Sequence, residues 1–322
     1  MKESVFIRQN ARKWKEYEYV IDMASTQSPD ELADIYTDVT ADLAFAQTHY
    51  PNSRITSYLN GLSLELHGEI YKGRREKWSR IASFWSREIP EAVLDARKEM
   101  LLSLGLFLLF VAIGVVSTLG DSEFSRLILG DSYVDMTIDN ISKGVPTDVY
   151  NHGNETGVFL RIMYNNLYVG IITFAMGVFT PLGTILMLLN NGVMVGTFVT
   201  LFKQYHVFGP SFLAVMQHGT LELSTIVIEG AAGIVMGNGW LFPGTYSRMQ
   251  SFMRSARRGM KIAISAVPLT IIAAFFEGFL TRHVEISDVI RVMVVVVSAT
   301  FVLFYYVYLP FKIYKKRNEG EQ

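Results

Sequence analysis

Residues 101–119 read LLSLGLFLLFVAIGVVSTL, a run without one charged side chain. At ~1.5 Å of rise per residue, about 20 apolar residues in a helix cross the ~30 Å hydrocarbon core of a bilayer. The run therefore predicts a transmembrane helix, and it divides the chain in two. Residues 1–98 are charged and mixed, whereas residues 99–311 alternate long apolar runs with polar loops, and 312–322 form a basic tail. A chain of 322 residues that is 50% hydrophobic and 18% charged leans away from the soluble average.

Working toward the C-terminus, a second apolar zone from Asn166 to Phe202 is too long for one crossing. It is broken at Thr180-Pro181-Leu182-Gly183, where proline removes a helical donor and glycine relaxes the turn. The zone reads as a hairpin of spans 166–180 and 184–202, with a re-entrant pair as the alternative. Further spans are expected at 211–237, 260–280 and 289–309. The predicted class is all-α, a polytopic helical membrane protein of about six transmembrane helices.

Loop charges orient these spans, because basic loops stay on the cytoplasmic side. The segment before the first span carries Arg74, Arg75, Lys77, Arg80, Arg87, Arg97 and Lys98. Loop 243–261 carries Arg248, Arg254, Arg257, Arg258 and Lys261 without an acid, and the tail carries Lys312, Lys315, Lys316 and Arg317. Loop 120–165 is acid-rich, with Asp121, Glu123, Asp131, Asp135, Asp139, Asp148 and Glu155 against three bases. Six spans satisfy every loop and put both termini in the cytoplasm. The expected location is the bacterial cytoplasmic (inner) membrane, where the sequons at Asn140 and Asn154 carry no meaning.

The N-terminal region reads as cytoplasmic helices. Ser28-Pro29-Asp30-Glu31 is a start signal, and 3–24 and 52–72 have helical apolar spacing. Residues 78–98 set Trp78, Ile81, Phe84, Trp85 and Ile89 among bases. That pattern fits a helix in the membrane interface, with Trp78, Phe84 and Trp85 as anchors. The alternative is an ordinary core face. There is no apolar core followed by a cleavage site at the N-terminus, so the first span is expected to direct insertion. A net charge of −1 argues against a nucleic-acid partner, and the absence of cysteine excludes thiolate metal sites and cysteine nucleophiles.

The chemistry concentrates in the fourth span, SFLAVMQHGTLELSTIVIEGAAGIVMG. At 100° per residue, with His218 at zero, Glu222 falls at ~40°, Thr225 at ~340° and Glu229 at ~20°. These four share one narrow stripe, and intramembrane carboxylates face a partner or a watery cavity. The stripe is either structural glue between helices or a seam for protons, cations or a polar ligand. His218 and Glu222, at i and i+4, could share an ion. No second His–carboxylate pair matches them, and His283 lies in a loop, so neither a metal nor a cofactor is expected. Without HExxH or a GxSxG serine, no enzymatic activity is expected either.

Asn190-Asn191-Gly192 lies in the third span, with Gly192 and Gly196 forming a small-xxx-small pair, as do Gly233 and Gly237 in the fourth. Asn191 and Glu229 are expected at similar depth, so Asn190 and Asn191 are included in the polar seam. Glu277 and Arg291 sit near the outer ends of the last two spans, where a pair across the mouth is conceivable.

Two stretches, NNLYVGIITFAMGVFTPLGTILMLLNNGVMVG and HGTLELSTIVIEGAAGIVMG, resemble the stage II sporulation protein M family. The matching features are Asn165-Asn166, Gly177, Gly183, Asn191-Gly192 with Gly196, then His218-Gly219, Glu222, Gly230 and Gly233. The resemblance covers roughly residues 80–310. It implies a membrane anchor that recruits cell-envelope enzymes. The resulting expectation is a scaffold, working as a homo-oligomer with membrane lipids and envelope proteins as partners. The rival is a channel or secondary transporter using the His218/Glu222/Glu229 seam.

Overall fold

The computed structural model describes residues 2–22, 29–71, 78–121, 123–143, 154–281 and 286–319. The expected cap Ser28, the bases Arg74, Arg75 and Lys77, Asp148 and His283 lie outside them. Every regular element among the described residues is a helix, and the chain divides into two compact units, Met1–Ile81 and Ala82–Gln322.

The first unit packs α1 (Glu3–Asp22), α2 (Pro29–His49) and α3 (Arg54–Tyr71). Leu32, Ile35, Val39 and Ala46 recur at helical spacing in α2, as do Ile55, Leu59, Leu62 and Leu66 in α3, and all are buried with Phe6 and Trp14 of α1. Trp14 also donates its indole N–H to Asp42 at 2.8 Å. Asp42 in turn pairs with Lys13 at 2.7 Å.

The second unit begins within the short helix α4 (Trp78–Ser83). A π-helical turn, Phe84–Glu88, leads into α5 (Ile89–Asp95). Phe84 and Trp85 pack against a core that includes Ile89, Val93, Ile262 and Tyr306, and the Tyr305 hydroxyl donates to the Trp85 carbonyl at 2.6 Å. Trp78 is highly exposed. Of the three expected interface anchors, two are therefore partly taken up by the helix core, the alternative that the spacing left open.

Among the described residues, six helices are long and apolar enough to cross a membrane. They comprise α6 (Arg97–Gly120), α9 (Glu155–Ala175, extended by a 3-10 turn to Val178), α10 (Pro181–Gln204) and α11 (Phe208–Leu241). The last two are α12 (Arg248–Phe275, extended by a π-helical turn to Thr281) and α13 (Asp288–Leu303), which continues through a π-helical turn into α14 (Leu309–Glu319). The boundaries differ from expectation at the fifth span, which opens at Arg248 inside the expected loop 243–261, and at the second. The second begins at Glu155 rather than Asn166, because the Asn154 side chain accepts from Thr156 N and caps the helix. Arg161, Asn165 and Asn166 lower the hydropathy of its first turns and hide the start. Segment 120–165 is likewise no plain loop: it also holds α7 (Glu123–Leu129) and α8 (Asp131–Ser142). The proline break falls where expected, with Thr180 extended and α10 starting at Pro181. At 24 residues each, the helices on either side of it are long enough for a full crossing.

The bundle thus has an acidic end, carrying α7 and α8, and a basic end, carrying residues 242–247 and the bases that open α12. α11 is its centre: 72% of its apolar window is buried, against 11% for the last span.

Candidate functional site

α9 lies along α11 with Asn166, Gly170, Thr173 and Gly177 at i, i+4, i+7 and i+11, one face of a helix. This face meets α11, Asn166 at Glu222, Gly170 at Glu229 and Gly177 at Gly233. Toward the acidic end, the Asn166 amide donates to Glu222 Oε1 at 2.5 Å. One turn away, His218 is buried with its Nδ1 2.9 Å from Thr281 Oγ1 at the end of α12. The Thr281 hydroxyl also lies 3.3 Å from the Phe276 carbonyl, which can only accept. The Thr281 hydroxyl thus bridges the Phe276 carbonyl and His218 Nδ1, and the imidazole tautomer sets which way the second bond runs.

The π-helical turn Phe276–Thr281 brings Glu277 into the same cluster. Donor atoms of His218, Glu222 and Glu277 lie within 4.8 Å of one another, the arrangement of a potential metal site. All three line a cavity of about 350 Å³. Its other walls are largely apolar, with Leu129 and Tyr133 from the segment before α9 and Met194, Phe198 and Phe202 from α10. Burial, and then the charge of Glu277, push the Tyr133 hydroxyl up to about 12.

Glu229 shares the stripe but not the environment. It lies 11 residues further along α11, ~16 Å at helical rise. It is buried, with its carboxyl directly over Gly170, where a Cβ would collide with it. Among the described residues, no hydrogen bond reaches that carboxyl. Thr225, between the two environments, turns its hydroxyl back to the Glu222 carbonyl at 2.8 Å.

Asn190 and Asn191 do not join the seam. Asn190 is exposed, and Asn191 donates to the Met187 carbonyl of its own helix at 2.8 Å. Similar depth along the bundle is not the same azimuth, and α10 presents Leu188 and Gly192 to its neighbours instead.

The glycines of the basic half bring backbones together. A Cβ on Gly177 would collide with the Gly233 carbonyl, one on Gly233 with Thr184, and one on Gly237 with Pro181. Gly230 faces Ser103 and Leu188. Gly183 closes on Met176, and further along α10, toward the acidic end, Gly192 and Gly196 receive α6 at Phe110 and Val111. Hydrogen bonds tie the basic half: Thr184 Oγ1 donates to the Thr173 carbonyl at 2.9 Å, and Ser103 Oγ to the Val227 carbonyl at 2.7 Å.

The comparison with known families decides what this bundle is. The model described as Stage II sporulation protein M matches residues 103–282, more than half of the chain. The chain belongs to the stage II sporulation protein M family. The matched region runs from the first span to just past Thr281, so it contains the whole His218/Glu222/Glu277 cluster and every glycine contact above. Residues 4–72 match a separate domain of unknown function (DUF8413), coinciding with the three-helix unit. No match was found among curated proteins or among solved structures.

Of the cluster, His218 and Glu222 are legible from spacing alone. Asn166 is visible only as part of the resemblance to the family. Glu277 and Thr281 are missed as partners because a π-helical turn carries them, and its register follows no 3.6-residue rule. Gly170 is missed because it belongs to no small-xxx-small pair within its own span.

Proposed function

We propose that this member of the stage II sporulation protein M family is a membrane scaffold. It would recruit cell-envelope partners at the bacterial cytoplasmic membrane, with both termini in the cytoplasm. The observation that carries this reading is the closed basic half of α11. There, Gly177, Gly230, Gly233 and Gly237 meet neighbouring backbone and side chains directly. Ala231, Ala232, Ile234, Val235 and Met236 between them are almost completely buried. Helices in direct backbone contact form a rigid frame. A frame suits a protein that holds others in place. The separately folded three-helix unit supplies one docking surface, and the helices α7 and α8 at the acidic end supply a second.

The rival reading, a transporter of protons, cations or a small polar solute, is favoured by the cavity beside His218. It needs that cavity to communicate with the basic end, and the glycine contacts stand in the way.

Two measurements test the proposal together. Affinity purification from native membranes should retain envelope proteins with the full chain and lose part of that set when residues 1–81 are deleted. Proteoliposomes carrying the full chain should show no proton or cation flux above empty vesicles. Robust flux, or retention of no envelope protein, overturns the scaffold. Because the chain has no cysteine, single cysteines at Thr245 and Asp131 report the orientation. Asp131→Cys should react with an impermeant thiol reagent from outside, and Thr245→Cys should not.

A further inference from the structure

We propose that His218, Glu222 and Glu277 bind one divalent transition-metal cation in the acidic half of the bundle. The proposal goes beyond the scaffold reading and stands whether or not that reading holds. Three observations carry it independently of one another.

The first is the donor set. An imidazole and a carboxylate one turn apart on α11 face a carboxylate from a different helix, and their ligand atoms all lie within 4.8 Å. Ligands at about 2.0–2.2 Å around a tetrahedral ion stand about 3.5 Å apart, so small rotamer adjustments close the set. Water would complete the coordination from the cavity. The second is the support behind the donors. Thr281 Oγ1 engages His218 Nδ1 at 2.9 Å, which assigns Nε2 to the metal in this proposal, and Asn166 holds one oxygen of Glu222 at 2.5 Å. Metal-binding histidines and carboxylates are oriented by such outer partners, and two of the three donors have one here. The third is access. The cavity of about 350 Å³ is lined by all three donors and provides the entry path that a buried metal site requires.

Electrostatics agree with the geometry. Two carboxylates and an imidazole in an apolar bundle form a low-dielectric site in which a divalent cation is strongly favoured. One nitrogen with two carboxylates suits Zn²⁺ or Mn²⁺, whereas Mg²⁺ and Ca²⁺ prefer all-oxygen shells. The π-helical turn Phe276–Thr281 gains a purpose here, since it presents Glu277 and Thr281 to the same histidine.

The test uses the full chain, purified in detergent without a polyhistidine tag, stripped with chelator and re-equilibrated with Zn²⁺, Mn²⁺ or Mg²⁺ alone. Elemental analysis should find one Zn²⁺ per chain and no Mg²⁺. His218→Gln and Glu277→Gln should each weaken Zn²⁺ binding at least ~10-fold in calorimetry, while Asp131→Asn on α8 leaves it unchanged. Thr281→Val removes no ligand, so it should weaken binding ~10-fold while a stoichiometric site persists. If the histidine and glutamate variants do not fold, Mn²⁺-loaded wild type decides. Pulsed EPR should then show one coordinated imidazole nitrogen. Absence of stoichiometric uptake by the folded wild-type chain, equal uptake by folded His218→Gln and Glu277→Gln, or a Mn²⁺ spectrum without nitrogen coupling overturns the site.

Discussion

The two halves of α11 use one helix for opposite purposes. Toward the basic end its neighbours are met through Gly230, Gly233 and Gly237, and the residues between are alanine, isoleucine, valine and methionine. Toward the acidic end the same face carries His218 and Glu222 and borders a cavity. Glu229 stands at the join. By residue type it belongs with the acidic half, yet by environment it belongs with the closed half, pressed on Gly170. The contrast shows that a stripe of polar residues on one helix is not one site. What each residue does is decided by the helix across from it: α9 offers an amide at Asn166 and nothing but a hydrogen at Gly170.

The largest effect that can break this comparison is steric. Gly177→Val places a branched side chain on the Gly233 carbonyl, with backbone on both sides unable to yield. Overpacking in a tight core destabilises by about 1–3 kcal/mol, and backbone contact puts this case at or above the top of that range. Thermal unfolding in detergent should drop well below wild type or the chain should fail to accumulate. A Gly177→Ala variant that melts with wild type would mean the closed half is not closed.

The next effect is a difference of sign between two glutamates. Glu222→Met leaves the Asn166 amide without its acceptor and should destabilise by ~1–3 kcal/mol. Glu229→Met removes a buried carboxyl that no hydrogen bond reaches among the described residues. It replaces that group with a flexible apolar chain of similar length, so stability should be unchanged or rise. Both are read from thermal unfolding of the same preparation. Shifts of the same sign and size would show that the two carboxyls share an environment after all. A bond from Asn191 to Glu229, which their similar depth would allow, would predict destabilisation instead, but Asn191 donates to its own helix.

These particulars also show what a sequence can carry in a membrane protein. The six spans are legible because hydrocarbon thickness sets a length, and the glycines because close approach needs a missing side chain at regular spacing. Phe84 and Trp85 read equally well as interface anchors or as core, since a helix beside a bundle and a helix on a bilayer bury the same kind of face. The partners of His218 are not legible. They come from the π-helical turn that ends the fifth span, as the partner of Glu222 comes from α9, and contact across helices leaves no period in a single chain. The true start of α9 was hidden for a related reason: Arg161, Asn165 and Asn166 look like loop until their inward partners are known.

The smallest effect tests burial itself, by placing a carboxylate in water. In the three-helix unit, Asp38 accepts from the Tyr17 hydroxyl at 2.7 Å and pairs with Lys13 at 3.3 Å, with about half its side chain exposed. The Tyr17 hydroxyl, and then Lys13, hold the Asp38 carboxyl below its ordinary 3.8. Burial lowers Lys13, but Asp42 and Asp38 outweigh it and hold the ammonium above 10.5. The carboxylate's contribution is therefore complete above pH ~3.8 and lost as pH falls through the lower folded value, while that of Lys13 is complete below pH ~10.5 and lost above it. An exposed pair of this kind contributes less than about 1 kcal/mol. Asp38→Asn should then accelerate hydrogen exchange of α1 and α2 amides in the full chain by less than ~5-fold at pH 7, with the difference shrinking toward pH 3. A loss as large as that of Glu222→Met would mean that burial does not set the worth of a carboxylate in this protein, and the contrast between the two halves of α11 would need another cause.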